Sequence, residues 1–166
     1  MLLQNKTLKT SLSASQVLYR LAELEDHGAQ FYEGVRNGAN SEWVRKLATV
    51  LVRAEKRHHV RFLEYARMAE MGETGAGGIA ALTPELSHLL NVQVFASRER
   101  AERSVQYASE RDIVNVAIRA EESLALLMTE LCDYVPRHEK TYIKRVIKEE
   151  WGHKASLEDL LRKHFK

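Results

Sequence analysis

Two Glu-x-x-His motifs, each preceded by a lone glutamate on an apolar helical stripe, have the strongest potential for chemistry in this chain. The first set is Glu25, Glu55 and His58, and the second is Glu121, Glu150 and His153. The lone glutamate precedes its motif by 30 positions in the first set and by 29 in the second. Positions three apart share one helix face, so both side chains of each motif point the same way. Carboxylate and imidazole ligands suit iron or manganese, whereas a structural zinc site would use thiolates.

The four glutamates interrupt stripes that should form the protein core. Leu18 and Leu21 lead into Glu25, for example, and Leu51 precedes Glu55 at helical spacing. Burying an ionised carboxylate costs several kcal/mol, compared with a total stability of about 5–15 kcal/mol. The same stripes contain no Lys or Arg, and two divalent cations would neutralise four carboxylates. We therefore predict a metal site, with a satisfied polar core or surface ion pairs as the alternatives.

A third Glu-x-x-His motif, Glu85 with His88, is predicted not to bind metal. With 19 glutamates and 7 histidines in 166 residues, chance produces about one such motif. The third motif directly follows Pro84 and has no apolar stripe leading into it. We interpret Glu85 as a favourable negative charge at a helix N-terminus.

Periodicity predicts four long helices that would position the six candidate ligands. Their expected bounds are Ala14 to Arg36, Asn40 or Ser41 to Met71, Ser109 to just before Pro136, and Arg137 to His164. A crossover at about 72–110 separates the two helix pairs and should contain one extra helix, from Thr83-Pro84 to about Ala108. Short links within the pairs and a long connection between them are typical of a ferritin-like bundle. The predicted class is all-α, a ferritin-like four-helix bundle.

Composition limits the alternatives. The chain of 166 residues is 45% hydrophobic and 29% charged, which is expected of a single folded domain over 1–166. A net charge of +2 argues against a nucleic-acid binder. The single cysteine, Cys132, can form neither an internal disulfide nor a four-thiolate centre. No segment has the pattern of a signal peptide or a membrane span, so we expect a soluble, cytoplasmic protein without membrane contact.

Four segments of the chain resemble rubrerythrin-like proteins, which are ferritin-like di-iron carboxylate proteins. The segments are EDHGAQFY at 25–32, AIRAE at 117–121, VP at 135–136 and IKEEWGH at 147–153. The resemblance extends from about residue 14 to 162. A full rubrerythrin also carries a C-terminal rubredoxin domain with four cysteines, which this sequence lacks.

The resemblance implies a set of roles for the candidate residues. Two non-haem irons would be bound, with Glu25 and Glu121 as terminal ligands, Glu55 and Glu150 bridging, and His58 and His153 each on one iron. Manganese or zinc are possible substitutes. Tyr32 lies seven residues after Glu25 on the same face and is either a hydrogen-bond donor to a ligand or a core residue.

The implied activity is an oxidoreductase that reduces hydrogen peroxide or dioxygen. A separate electron donor such as a rubredoxin would be needed, and a homodimer or higher homo-oligomer is expected. Rubrerythrins have an additional glutamate one turn after the first ligand of the third helix, where this chain has Leu124. The remaining ligand set equally resembles bacterioferritin, so iron oxidation and storage is one alternative. A metal-free helical scaffold is the other.

Overall fold

A computed structural model describes residues 11–72, 80–81, 83–135, 137 and 140–165. Its helices are α1 (Ala14–Gly38), α2 (Glu42–Gly72), α3 (Pro84–Asn91), α4 (Arg98–Val105), α5 (Glu110–Cys132) and α6 (Lys140–His164). A two-residue antiparallel pair of strands, β1 (Ser11–Leu12) and β2 (Ala80–Ala81), accompanies them. The predicted all-α class is therefore confirmed. Among the described helices, none combines the length and the apolar composition needed to cross a bilayer.

Helices α1 and α5 begin at side chains that satisfy their first backbone N–H groups. Ser13 accepts a hydrogen bond from the backbone N–H of Gln16, and the Gln16 side chain accepts one from the N–H of Ser13. Ser109 accepts in the same way from the N–H of Asp112 at the start of α5. These are the caps that the sequence spacing predicts, because Ser oxygens can replace the missing intrahelical acceptors.

The four long helices pack in a partly bundle-like manner. Helix α1 packs against α2, and α5 packs against α6. Between α2 and α6, the Tyr65 and Tyr142 rings stack with centroids 4.2 Å apart, and the ring centroids of Trp43 and His164 are 5.4 Å apart. Because the earlier residue of α2 meets the later residue of α6, these two helices run antiparallel. The apolar faces of all four helices contribute to one buried cluster.

The crossover differs from the prediction, because its single expected helix is two helices. Helix α3 ends at Asn91 and α4 starts at Arg98, so the expected helix to about Ala108 is wrong. The α3–α4 connection starts at Val92, which has an extended backbone and accepts a hydrogen bond from Arg20 Nη2 at 2.8 Å. Phe95 is buried against α1, which draws the connection onto the core. Burial of this aromatic ring outweighs the local preference for a continuous helix.

Helix α4 lies directly on α1 because two glycines of α1 leave room for its backbone. A Cβ atom at Gly34 would lie 2.2 Å from the carbonyl oxygen of Arg98, and one at Gly38 would lie 2.1 Å from that of Glu102. Any larger residue would push the two backbones apart. This contact anchors the crossover and positions Phe95, which precedes α4, over the middle of α1.

Candidate metal centre

Six polar side chains from four helices meet in the interior of the described structure. They are Glu25 on α1, Glu55 and His58 on α2, Glu121 on α5, and Glu150 and His153 on α6. All are buried except His153, whose side chain is 20% exposed. Each one lies on the apolar stripe of its helix, so the packing that buries the stripe also buries the polar group. The structure thus brings all six sequence-predicted ligands to one level of the core.

The six donors form two overlapping groups of four. The first is Glu25, Glu55, His58 and Glu150, and the second is Glu55, Glu121, Glu150 and His153. Within each group, one ligand atom per residue can be chosen so that all lie within 4.8 Å of one another. Glu55 and Glu150 belong to both groups. We call Glu25 with His58 the Glu25 half-site, and Glu121 with His153 the Glu121 half-site.

Several buried donor atoms of this cluster have no hydrogen-bond partner. They are both carboxylate oxygens of Glu25 and of Glu55, Nδ1 of His58 and Oε1 of Glu150. His58 Nδ1 and Glu150 Oε1 lie 2.6 Å apart without forming a well-directed hydrogen bond. No Lys or Arg of the described chain pairs with any of the four glutamates.

An unpaired buried polar atom costs about 1–3 kcal/mol, and more if it is charged. The unpaired atoms are oxygens and one imidazole nitrogen, all of which can bind a cation. Four carboxylates and two imidazoles divided into two groups with two shared members fit two divalent metal ions. The residues present therefore suit a metal pair in their number, chemistry and convergence.

Glu25 and Glu55, the two carboxylates in which both oxygens are unpaired, also have the strongest tendency to keep a proton. Burial raises the pKa of Glu25 well above its ordinary value, and the charge of Glu150 raises it further. Burial also raises the pKa of Glu55, with the charge of Glu25 as the next cause. In the absence of a metal, protons can therefore neutralise these groups. A metal ion must displace those protons, so metal binding should strengthen as the pH rises.

The other members of the cluster titrate differently because hydrogen bonds offset their burial. Burial raises the pKa of Glu121 to about 7, although a hydrogen bond from His153 limits the rise. For Glu150, burial would raise the pKa, but the hydrogen bond from His153 and the close imidazole of His58 lower it to about 2. Burial would lower both histidine pKa values, yet their carboxylate partners raise them to about 9 for His58 and about 10 for His153.

Glu149 is a functional candidate that the sequence analysis missed. Its Oε2 lies 2.9 Å from Nε2 of His58, and its Oε1 accepts a hydrogen bond from Arg61 at 3.1 Å. His58 thus turns Nδ1 towards the cluster and Nε2 towards Glu149. A carboxylate on the outer nitrogen orients a ligating histidine and fixes its tautomer. The sequence showed only that Glu149 is next to Glu150. This position does not indicate which neighbouring helix the Glu149 side chain faces.

Tyr32 lies against the Glu121 half-site. Its buried hydroxyl donates a hydrogen bond to Oε1 of Glu121. Burial raises the pKa of Tyr32 well above its ordinary value, and the charge of Glu121 adds to the effect, so the hydroxyl keeps its proton. Phe31 packs on the Tyr32 ring at 5.0 Å and Phe95 at 6.1 Å. The geometry fits both sequence hypotheses for Tyr32, because the side chain donates to a predicted ligand and is also part of the buried apolar core.

The third Glu-x-x-His motif lies outside the cluster. Glu85 is in the first turn of α3, where hydrogen bonds with the backbone and with Thr83 lower its pKa. It is therefore stabilised as an anion at a helix N-terminus, as the sequence analysis predicted. His88 is in the last turn of the same short helix.

Comparisons of the whole chain with known proteins found no matching family model, no matching curated protein and no matching solved structure. The chemistry of the cluster must therefore be argued from its own geometry. That geometry provides a buried Glu/His group that could hold metal ions, with six donors in two overlapping groups.

Proposed function

We propose that this protein is a non-haem di-iron oxidoreductase of the rubrerythrin-like kind, with a ferritin-like bundle, that reduces hydrogen peroxide or dioxygen. The observation that carries the proposal is the membership of Glu55 and Glu150 in both donor groups. Two carboxylates common to both groups can bridge a pair of metal ions, which is the ligand pattern of di-iron bundles. The Glu25 and Glu121 half-sites would each supply one terminal carboxylate and one imidazole.

Iron is the metal that best combines this donor set with redox chemistry. Carboxylate and imidazole ligands suit iron and manganese, and no thiolate is available in the cluster. When bound, two Fe(II) ions supply the two electrons that convert hydrogen peroxide and two protons into two water molecules. An external electron donor would then be needed to restore the reduced state, and we propose a separate protein for that role.

The protein's own side chains would set the conditions for this reaction. The five fully buried ligands keep bulk water away from the site, which limits side reactions. Glu149 holds His58 in one orientation. The protonated Tyr32 hydroxyl donates a hydrogen bond to Glu121 and holds that carboxylate in place. His153 is the only partly exposed ligand of the six, so the oxidant would enter beside it.

The first test is metal content after anaerobic loading with Fe(II). We expect two irons per chain in the native protein, and less than one in Glu55→Gln because both groups lose a shared ligand. Glu122→Gln is the matched control, because Glu122 lies on α5 next to Glu121 but its side chain is 44% exposed and pairs with Lys154. A correctly folded native chain that binds no iron would overturn the proposal and support the metal-free scaffold.

The second test is stopped-flow mixing of the Fe(II)-loaded protein with hydrogen peroxide and, separately, with dioxygen. We expect Fe(II) to be lost in proportion to the two bound irons, with turnover only when a reductant is added. Continued oxidation of many irons per chain inside a large closed shell would contradict this proposal and support iron storage. Glu122→Gln should react at the native rate.

A further inference from the structure

A solvent-facing pocket of about 620 Å³ lies between α1, the α3–α4 connection and α5. Phe31 and Phe95, which are 6% and 3% exposed, form a buried apolar part of its lining. Arg100 of α4 and Arg119 of α5 line the same pocket and are exposed. Val116, half exposed on α5, adds a further apolar surface. The pocket therefore combines apolar and cationic groups.

The charge of this pocket is entirely positive. No Asp or Glu is among its lining residues, and neither guanidinium group forms an ion pair or hydrogen bond with another described residue. A second pocket of similar size, about 660 Å³, provides a contrast, because Glu85, Glu130 and Asp133 line it and no Lys or Arg does. Size alone does not distinguish the two pockets, whereas charge does.

We propose that the positive pocket binds a small amphipathic carboxylate, a molecule with one anionic head and an apolar body. Arginine forms paired, charge-assisted hydrogen bonds with a carboxylate, and Arg100 and Arg119 have none of these bonds within the described chain. Phe31, Phe95 and Val116 would cover the apolar body. A volume of about 620 Å³ is in the range of small-molecule sites, which favours a small ligand over a protein segment.

The pocket is separated from the metal cluster by one layer of aromatic rings. Phe31 and Phe95 both pack on Tyr32, which donates to Glu121. A Cβ atom at Gly28 would lie 2.8 Å from Oε2 of Glu55 and 3.1 Å from the Phe95 ring, so this ring borders the cluster. The bound carboxylate would thus occupy a second site, distinct from the metal ligands. The inference goes beyond the proposed function and does not depend on metal binding.

Calorimetric titration of the full chain with octanoate tests the proposal. We expect one octanoate per chain, with 1-octanol and acetate each binding at least about tenfold more weakly, because one lacks the charge and the other the apolar body. Arg100→Gln/Arg119→Gln should weaken octanoate binding by about tenfold or more. Arg103→Gln/Arg111→Gln is the matched control on the same two helices, outside the pocket.

A second variant addresses the apolar part of the site. Val116→Glu places a carboxylate on the half-exposed wall, where it should repel octanoate without disturbing the core. Three results would overturn the proposal. The native chain binds no octanoate, it binds 1-octanol as tightly as octanoate, or Arg100→Gln/Arg119→Gln and Val116→Glu both bind octanoate as tightly as the native chain. Iron content is measured in the same samples. A chain that binds iron but not octanoate would contradict only the carboxylate pocket, and a chain that binds octanoate but not iron would contradict only the proposed metal function.

Discussion

The two half-sites use the same donor types but differ in how their surroundings hold them. In the Glu25 half-site, His58 is fully buried and its outer nitrogen is bound to Glu149, while both oxygens of Glu25 are unpaired. In the Glu121 half-site the carboxylate receives hydrogen bonds from Tyr32 and His153. The outer nitrogen of His153 has no partner among the described residues, and its side chain is 20% exposed.

This difference shows where a cation would matter most. The Glu121 carboxylate already receives hydrogen bonds that partly replace a metal, whereas the buried Glu25 carboxylate receives none within the described structure, although His58 Nδ1 lies 3.5 Å from its Oε2. The cost of leaving the site without metal therefore falls mainly on the Glu25 half-site. The partly exposed Glu121 half-site is instead the side from which ions and oxidant can enter.

The largest expected effect is a loss of stability of the metal-free protein as the pH rises. The pKa values of Glu25 and Glu55 are raised, as are those of Glu121 to about 7, His58 to about 9 and His153 to about 10. The folded state therefore binds more protons than the unfolded state. The stability from each group is complete below its ordinary pKa and is lost as the pH rises through the folded value, by about 1.4 kcal/mol per pH unit.

Urea unfolding with a chelator between pH 5 and pH 9 measures this slope. Glu150 has a lowered pKa of about 2, so its contribution is lost only at much lower pH and does not affect the window. Glu25→Gln and Glu121→Gln should both flatten the slope below pH 7. We expect Glu25→Gln to flatten it more, because burial raises the pKa of Glu25 well above its ordinary value, whereas a hydrogen bond from His153 limits the rise at Glu121. Equal slopes in the two variants would contradict the difference between the half-sites.

The next effect concerns Glu149, which supports only the Glu25 half-site. Glu149→Ala removes the hydrogen-bond partner of His58 Nε2. We expect metal affinity to fall by about 10–100-fold at one of the two sites, as is usual when the partner of a ligating histidine is lost. Titration with Co²⁺, followed by its visible absorbance, would resolve the two binding steps.

Glu122→Ala is the control for this experiment, because in the described structure Glu122 forms an ion pair with Lys154 and no hydrogen bond or ion pair with any of the six ligands. It should leave both binding steps unchanged. If Glu149→Ala weakened both steps equally, the Glu149 contact would act on the whole cluster, and the comparison between half-sites would lose its basis.

The smallest effect comes from two glycines beside the ligands. A Cβ atom at Gly28 would lie 2.8 Å from Glu55 Oε2 and 3.1 Å from Phe95, whereas one at Gly152 would have nothing within 4 Å. Gly28→Ala should therefore destabilise the protein by about 1–3 kcal/mol through crowding. Gly152→Ala should stabilise it by about 0.5–1 kcal/mol, because alanine favours helix. Thermal unfolding of both variants measures these changes in stability. If both substitutions changed the stability in the same direction, the two sides of the cluster would be packed alike.

The positions of the long helices and the six donors could be predicted because they follow from local rules. Ser13 and Ser109 are capping residues whose spacing to the next polar residue is visible in the sequence. Apolar residues at steps of three and four define the buried face of each helix, and any polar residue within that pattern is placed on the same face. The burial of Glu25 and Glu121 is thus a consequence of periodicity.

Features that depend on contacts between distant segments could not be predicted in this way. The sequence from Pro84 to Ala108 favours helix, but the structure interrupts it because Phe95 is buried against α1. The contact between His58 and Glu149 joins residues 91 positions apart. No local pattern determines which neighbouring helix an exposed-looking glutamate will face.

The sequence by itself therefore determined an all-α chain whose helices carry four glutamates and two histidines on their buried faces. Only the tertiary structure decided that Glu55 and Glu150 are shared by two donor groups, that one histidine is anchored by Glu149, and that the other is partly exposed. The physical reason is the range of the interactions. Periodicity and capping act within one or two helical turns, whereas sharing, anchoring and exposure depend on how four helices pack together.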